Sequence, residues 1–163
     1  MAAPTFSLTR TFDAPRETVW RVYTEVDHLS KWWGPKGFTW IAGTLDLRPG
    51  GLFHYGMKAP TGQEIWGKFV YREIVKPERI VFTNSFSDKD GNTVRAPFAP
   101  HWPLEVLNVV EFREADGMTT LHMTGTPFNA AAEEEAAFEK MRPSLDAGFK
   151  GTLDQLAEYL ATQ

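Results

Sequence analysis

The spacing of apolar residues changes near residue 128, and this change constrains the fold more than any other feature of the sequence. Beyond it, apolar side chains recur every three or four residues, as in an amphipathic helix; they are Phe138, Met141, Leu145, Phe149, Leu153, Leu156 and Leu160. Before it, from Gly37 onward, apolar and polar residues alternate in short runs that are typical of strands. We therefore predict a long C-terminal helix and a sheet that bury each other's apolar faces.

Two residues bear on how the C-terminal helix begins and continues. Asn129 is a good N-cap for the alanine-rich run at residues 130–132. Pro143 removes one backbone donor and its ring clashes with the preceding turn, so we predict a kink or a break near Lys140 to Arg142. From Pro143 to Ala161 the helix would extend roughly 28 Å, which is enough to cross a small sheet.

The alternating region divides into six predicted strands, at residues 38–47, 52–57, 65–75, 80–86, 104–112 and 118–126, with turn residues between them. Gly50 and Gly51 follow Pro49 in one turn, where we expect a positive φ at one or both glycines. The sequence Ala115-Asp116-Gly117 predicts a tight hairpin between the last two strands.

Residues 5–12 predict one further strand, and two short helices follow it. The first begins at Pro15, which suits the first turn of a helix. The second is capped by Asp27 and runs to Trp33, where Gly34-Pro35 ends it. The element order is therefore β-α-α-β6-α. It predicts an α+β fold in one domain spanning residues 1–163, with a curved antiparallel sheet of about seven strands wrapped around the long helix.

Composition and motifs exclude several classes of function. The net charge is −4 without a basic stripe, so nucleic acid is not an expected partner. The absence of cysteine and of a signal-peptide pattern in residues 1–5 fits the cytoplasm, and no apolar run is long enough to span a membrane. The spacing of the histidines (28, 54, 101 and 122) does not suit a metal site, and no nucleotide-binding fingerprint occurs. We expect no metal, no cofactor and no assignable catalytic residue.

A curved sheet that grips one helix leaves room for a cavity between them. Strand alternation and the helix stripe predict that twelve residues line it: Trp33, Phe53, Tyr55, Met57, Phe69, Tyr71, Trp102, Asn108, Val110, Met141, Leu145 and Phe149. A plain core role also explains the Phe and Val positions. Tyr55, Tyr71 and Asn108 are more informative, because a polar group on an inward face must find a partner.

Several motifs resemble a known superfamily. Phe12-Asp13-Ala14-Pro15 with Val19-Trp20, and Trp32-Trp33-Gly34-Pro35, resemble the opening of the START and birch-allergen-type helix-grip superfamily. Residues 46–51, 67–74 and 77–83, and Gly148-Phe149 with Leu153 and Leu156, resemble its branch named after the activator of the heat-shock chaperone ATPase, the AHSA-like family. This resemblance covers nearly the whole chain. It implies a helix-grip fold with a cavity, and Pro143 departs from the uninterrupted final helix that is usual there.

Three functions are left open at this point. The first is binding of a hydrophobic small molecule, lipid-like or aromatic, by a monomer or homodimer. The second is a cofactor-free enzyme of the cyclase or hydrolase type, which would need an inward carboxylate or histidine; Glu64, Glu105 and Glu111 alternate with apolar residues and are expected to face outward. The third, implied only by the resemblance, is a co-chaperone in the stress response, an activity expected of larger multidomain proteins.

Overall fold

A computed structural model describes residues 4–163. The signal-peptide expectation concerns residues 1–5, and residues 1–3 of that range lie outside the described chain. Seven strands form one antiparallel sheet: β1 (Phe6–Phe12), β2 (Thr39–Leu45), β3 (Leu52–Lys58), β4 (Glu64–Val75), β5 (Arg79–Ser87), β6 (Val106–Ala115) and β7 (Met118–Pro127). Helices α1 (Arg16–Thr24) and α2 (Val26–Trp32) separate β1 from β2, and α3 (Ala132–Leu160) ends the chain. The predicted α+β fold with a curved sheet and a long last helix is confirmed.

Strands β2 to β7 form a meander, and a long connection that contains α1 and α2 links β1 to β2. The strand order is β1-β7-β6-β5-β4-β3-β2, so β2 to β7 each pair with the next strand in sequence and β1 pairs with β7. Asp116 and Gly117, with φ of 54° and 76°, join β6 to β7 in a two-residue turn, so the hairpin predicted across Ala115-Asp116-Gly117 is present and Ala115 belongs to β6. Positive φ at both central positions matches the right-handed twist of the flanking strands, which explains the choice of Asp-Gly.

The turn between β2 and β3 is tied to the body of the sheet. Gly50 has a φ of +84°, which confirms the positive φ expected in this turn, whereas Gly51 does not share it. The Gly50 N–H donates to the Tyr71 carbonyl at 2.7 Å, and the Tyr71 N–H donates to the Gly51 carbonyl at 3.0 Å. These bonds lie where the β4–β5 register shifts between Tyr71 and Glu73, so the turn satisfies backbone groups near that irregularity.

The predicted boundaries of the short helices need correction. Pro15 is the N-cap of α1 and not a residue of its first turn. Asp27 does not cap α2, because the N-cap is Glu25. Asp27 lies in the first turn, where its carboxylate interacts favourably with the positive end of the helix dipole. The helix ends at Trp32, one residue earlier than predicted, and Gly34 follows with a φ of +113°.

The predicted N-cap of the last helix is wrong, and so is a break at Pro143. Its N-cap is Ala131, whose backbone N–H donates to Glu134 Oε1 at 2.8 Å, whereas Asn129 lies outside the helix with a φ of 51°. The helix continues through Pro143 without a break. Buried Phe138 on one side of Pro143 and buried Leu153 and Leu156 on the other anchor both halves to the sheet. Tertiary packing of an amphipathic face therefore outweighs the loss of one backbone donor.

Burial along α3 is uneven, and this unevenness positions the site. Phe138 near one end is buried, as are Leu153, Leu156 and Leu160 near the other. The three stripe residues between them, Met141, Leu145 and Phe149, are only half-buried. The two ends of the helix belong to two separate clusters of buried residues on the sheet. The middle of the helix therefore faces a space that side chains do not fill.

We expect residues 1–163 to unfold as one cooperative unit, because one continuous sheet carries all three helices. Thermal unfolding followed by far-ultraviolet circular dichroism and by tryptophan fluorescence should give coincident midpoints. Two separated transitions would contradict the assignment of the chain to one domain.

Candidate functional site

A cavity of about 460 Å³ lies between the middle of α3 and the sheet. Strands β3, β4 and β5 form one wall, the segment after α2 and the loop between β5 and β6 contribute to the sides, and α3 covers it. Its rim includes exposed residues such as Pro35, Gln63 and Phe98, whereas Tyr55 and Trp102 are buried in its wall. The volume falls within the range of about 300–1,000 Å³ that is usual for small-molecule sites.

Seven of the twelve residues predicted for the site line this cavity: Trp33, Tyr55, Met57, Trp102, Met141, Leu145 and Phe149. Three of these seven are the half-buried positions in the middle of α3. Their contact with a ligand stays a prediction, but the structure brings them together around one space.

The other five predicted residues lie elsewhere in the interior. Phe53, Phe69, Tyr71 and Val110 are buried in the main core cluster, where Phe69 stacks on Phe82 with ring centroids 4.0 Å apart. Asn108 is half-buried, and its Nδ2 donates to the Val106 carbonyl at 3.0 Å. Strand alternation correctly places these side chains on the inward face. It does not predict which part of each strand faces the open space beneath α3.

The cavity also has lining residues that the sequence interpretation missed: Gly34, Pro35, Phe38, Ala59, Gln63, Ile65, Trp66, Gly67, Asn84, Ser85, Phe86, Phe98, Ser144, Gly148 and Thr152. A signal for two of them was present. Asn84 and Phe86 continue the alternation of Ile80 and Phe82 along β5, and this alternation would have placed both on the inward face.

The segment after α2 is fastened to α3 beside the cavity. The Gly34 carbonyl accepts hydrogen bonds from Thr152 Oγ1 at 3.1 Å and from Gln155 Nε2 at 2.7 Å. A side chain at Gly34 would put its Cβ 2.3 Å from the Met57 sulfur, so Met57 would have to shift, and the positive φ of Gly34 favours glycine in any case. These contacts hold Trp33 and Met57 in the cavity wall.

A small polar group interrupts the apolar wall where Trp33, Tyr55 and Asn84 meet. Tyr55 lies across β4 over Gly67, where an added Cβ would stand 2.7 Å from its hydroxyl oxygen, and it extends toward Asn84 on β5. Burial raises the pKa of Tyr55, and hydrogen bonding with the Asn84 and Trp33 side chains offsets part of that rise. Tyr55 is therefore a neutral hydroxyl at physiological pH.

None of the described residues that line the cavity is an Asp, Glu, Lys, Arg or His. The ion pairs near its ends lie outside it. At one end, Arg95 pairs with Glu134, and the hydrogen bond from the Ala131 N–H, together with Arg95, lowers the pKa of Glu134. At the other, hydrogen bonds from Arg10 and Lys36 lower the pKa of Asp154. A charged ligand would meet no counter-charge in the cavity wall, so the site suits a neutral molecule.

Neither a metal-binding cluster nor a candidate membrane-spanning helix occurs among residues 4–163. Within that range, no three His, Cys, Asp or Glu side chains are grouped in a way that would hold a metal ion. No described helix combines the length and the apolar character that are needed to cross a membrane.

Comparison with known proteins agrees with this architecture. A family model described as activator of Hsp90 ATPase homolog 1-like protein matches residues 13–161. Protein Ms6760 from Mycobacterium smegmatis is 29% identical, with 94% of this chain and 88% of that chain covered and a TM-score of 0.77. Protein NE0264 from Nitrosomonas europaea is 25% identical, covers 97% and 94%, and has a TM-score of 0.75. The AHSA1 protein from Silicibacter pomeroyi, at 21% identity, 98% and 99% coverage and a TM-score of 0.73, shows the same fold. No curated protein matches significantly.

Proposed function

The chain belongs to the family of activator of Hsp90 ATPase homolog 1-like proteins, and on that premise we propose that it binds a hydrophobic small molecule in the cavity between the sheet and α3. The observation that carries this proposal is the uneven burial of the helix stripe. Met141, Leu145 and Phe149 remain half-buried between two well-packed ends, and all three line the cavity. Apolar surface that the fold leaves uncovered inside a concave site is available to an apolar ligand.

The alternatives receive less support from this geometry. A cofactor-free enzyme would need an acid or a base in the cavity, and Tyr55 is the one ionisable side chain among the described lining residues. Burial keeps its proton in place by raising its pKa. A co-chaperone role rests on the family name. The expected location in the cytoplasm rests on the absence of cysteine.

We expect the native protein to bind the neutral dye N-phenyl-1-naphthylamine, with a gain in fluorescence and a higher melting temperature. A ligand at 100 times its dissociation constant stabilises the native state by about 2.7 kcal/mol. The measurement is a fluorescence titration together with thermal unfolding, after any co-purified molecule has been removed by unfolding and refolding.

A blocking variant tests the location of this binding. Gly148 lines the cavity from α3, and a Cβ added there meets no atom within 4 Å. The Cβ of Gly148→Leu therefore starts in open space at the cavity lining, and we expect dye affinity to fall at least about tenfold with no loss of stability. Ala147→Leu, on an exposed neighbouring position of the same helix that does not line the cavity, is the matched control. Equal dye affinity in both variants would contradict the proposed site.

A further inference from the structure

The most exposed large apolar side chain among the described residues lies at the mouth of the cavity. Phe98 is 60% exposed, whereas the other exposed apolar side chains are 36–42% exposed. Its residue nevertheless lines the cavity, and its ring contacts the Phe86 ring edge-to-face with centroids 5.5 Å apart. Burying a large aromatic surface that is now in water would be favourable. Phe98 is therefore placed where contact with a bound apolar molecule would remove its ring from solvent.

Phe98 belongs to a connection that has little regular structure of its own. Residues 88–105 join β5 to β6, and they form the longest connection between two successive elements in the described chain. Connections longer than about 12–15 residues without helix or strand are uncommon in compact domains, and many of them serve as lids or binding loops. The position of this connection beside the cavity suits such a role.

Two anchors limit the movement of the segment that carries this ring. On one side, Arg95 forms an ion pair with Glu134, and its Nη1 donates to the Trp102 carbonyl at 3.1 Å. On the other side, buried Trp102 stacks on Phe138 with ring centroids 5.4 Å apart. Between these anchors, residues 97–101 are exposed apart from one half-buried alanine. A short segment that is fixed at both ends can redirect one side chain without unfolding the whole connection.

The cavity itself is open to solvent. Ser144 and Gly148 line it from the middle of α3, and both are exposed. An apolar ligand in an open cavity keeps part of its surface in water unless a side chain at the rim covers it. From these observations, and on the basis of the proposed ligand-binding function, we infer that the Phe98 ring closes over a bound ligand and slows its release.

Phe98→Ala tests this role through the kinetics of dye binding. Stopped-flow mixing of the whole protein with increasing concentrations of N-phenyl-1-naphthylamine gives the association rate constant from the slope and the release rate constant from the intercept. We expect release to become about tenfold faster, because the contact between ring and dye is lost, and the dissociation constant to rise by a similar factor. The ligand-free variant should keep the parental melting temperature, since the ring is exposed.

Two further variants separate closure by this ring from a general effect on the connection. Leu104→Ala truncates another exposed apolar side chain of the same connection, one that does not line the cavity, and should keep the parental release rate. Phe98→Leu retains much of the apolar side chain. It should therefore release the dye at a rate between those of the parent protein and Phe98→Ala.

The outcomes are separable from those of the proposed function. Parental release and affinity in Phe98→Ala, or equally faster release in Leu104→Ala, would overturn this inference. A lower melting temperature of ligand-free Phe98→Ala would also overturn it, because the ring would then be packed before any ligand binds. In each of these cases dye binding by the parent protein would still support the proposed function. Failure of the parent protein to bind the dye would instead refute the proposed function, and this inference with it.

Discussion

Leu156→Ala should lower the free energy of unfolding by about 2–5 kcal/mol, whereas Leu145→Ala, the same substitution on the same helix, should lower it by about 1 kcal/mol. Leu156 is fully buried in the core cluster, so its truncation leaves a cavity among packed side chains as well as losing transfer free energy. Leu145 is half-buried and already lines an open space. Its truncation enlarges that space and removes fewer contacts.

Chemical denaturation of ligand-free protein measures this difference, because the two variants share residue type, helix and chemical change. The denaturant dependence of unfolding should stay constant, so that midpoint shifts report stability. Equal losses at the two positions would mean that Leu145 is packed as tightly as Leu156. The middle of α3 would then be ordinary core, and the cavity would not exist in solution.

The main features of the fold were predictable because they depend on the spacing of apolar residues. A period of two from Thr39 to Pro127 and a period near 3.6 beyond it leave one efficient arrangement, in which sheet and helix cover each other. The turn at Asp116-Gly117 was equally clear, since few residues tolerate positive φ at both positions.

Helix boundaries and continuity were less predictable because they depend on contacts distant in sequence. Asn129 and Asp27 are good caps by residue type, yet Ala131 and Glu25 occupy the N-cap positions. Pro143 would interrupt an isolated helix. Here, Phe138 and Leu153 are buried in separate clusters on either side of Pro143, and the helix continues between them.

The candidate site was partly predictable for a related reason. Strand alternation identifies which side chains face inward, and on that basis it correctly grouped Tyr55 and Met57 with Phe53. It does not reveal that Phe53 lies beneath other rings, with Phe69 5.1 Å away edge-to-face, while Tyr55 and Met57 reach the open space. That distinction depends on where α3 crosses the sheet, and no local pattern specifies the crossing point.

The connection between β2 and β3 allows the second large effect to be predicted. Gly51→Ala should lower the free energy of unfolding by about 2–4 kcal/mol, because it strains two backbone hydrogen bonds that cross to β4. A Cβ at Gly51 would stand 2.0 Å from the Asp46 carbonyl oxygen, which is backbone and unable to rotate away as a side chain would. The turn would have to move, and with it the bonds between Gly50, Gly51 and Tyr71.

Gly50→Ala is the matched control, since the two glycines are adjacent and differ in what they require. Gly50 has open space around its missing Cβ and needs glycine for its φ of +84° alone. Left-handed backbone in alanine costs about 1–2 kcal/mol, so this variant should be the milder of the two. The denaturant midpoints of unfolding of both variants and of the parent protein measure this difference in stability. If Gly51→Ala is no less stable than Gly50→Ala, the close approach to Asp46 does not occur, and only the positive φ of Gly50 requires a glycine in this turn.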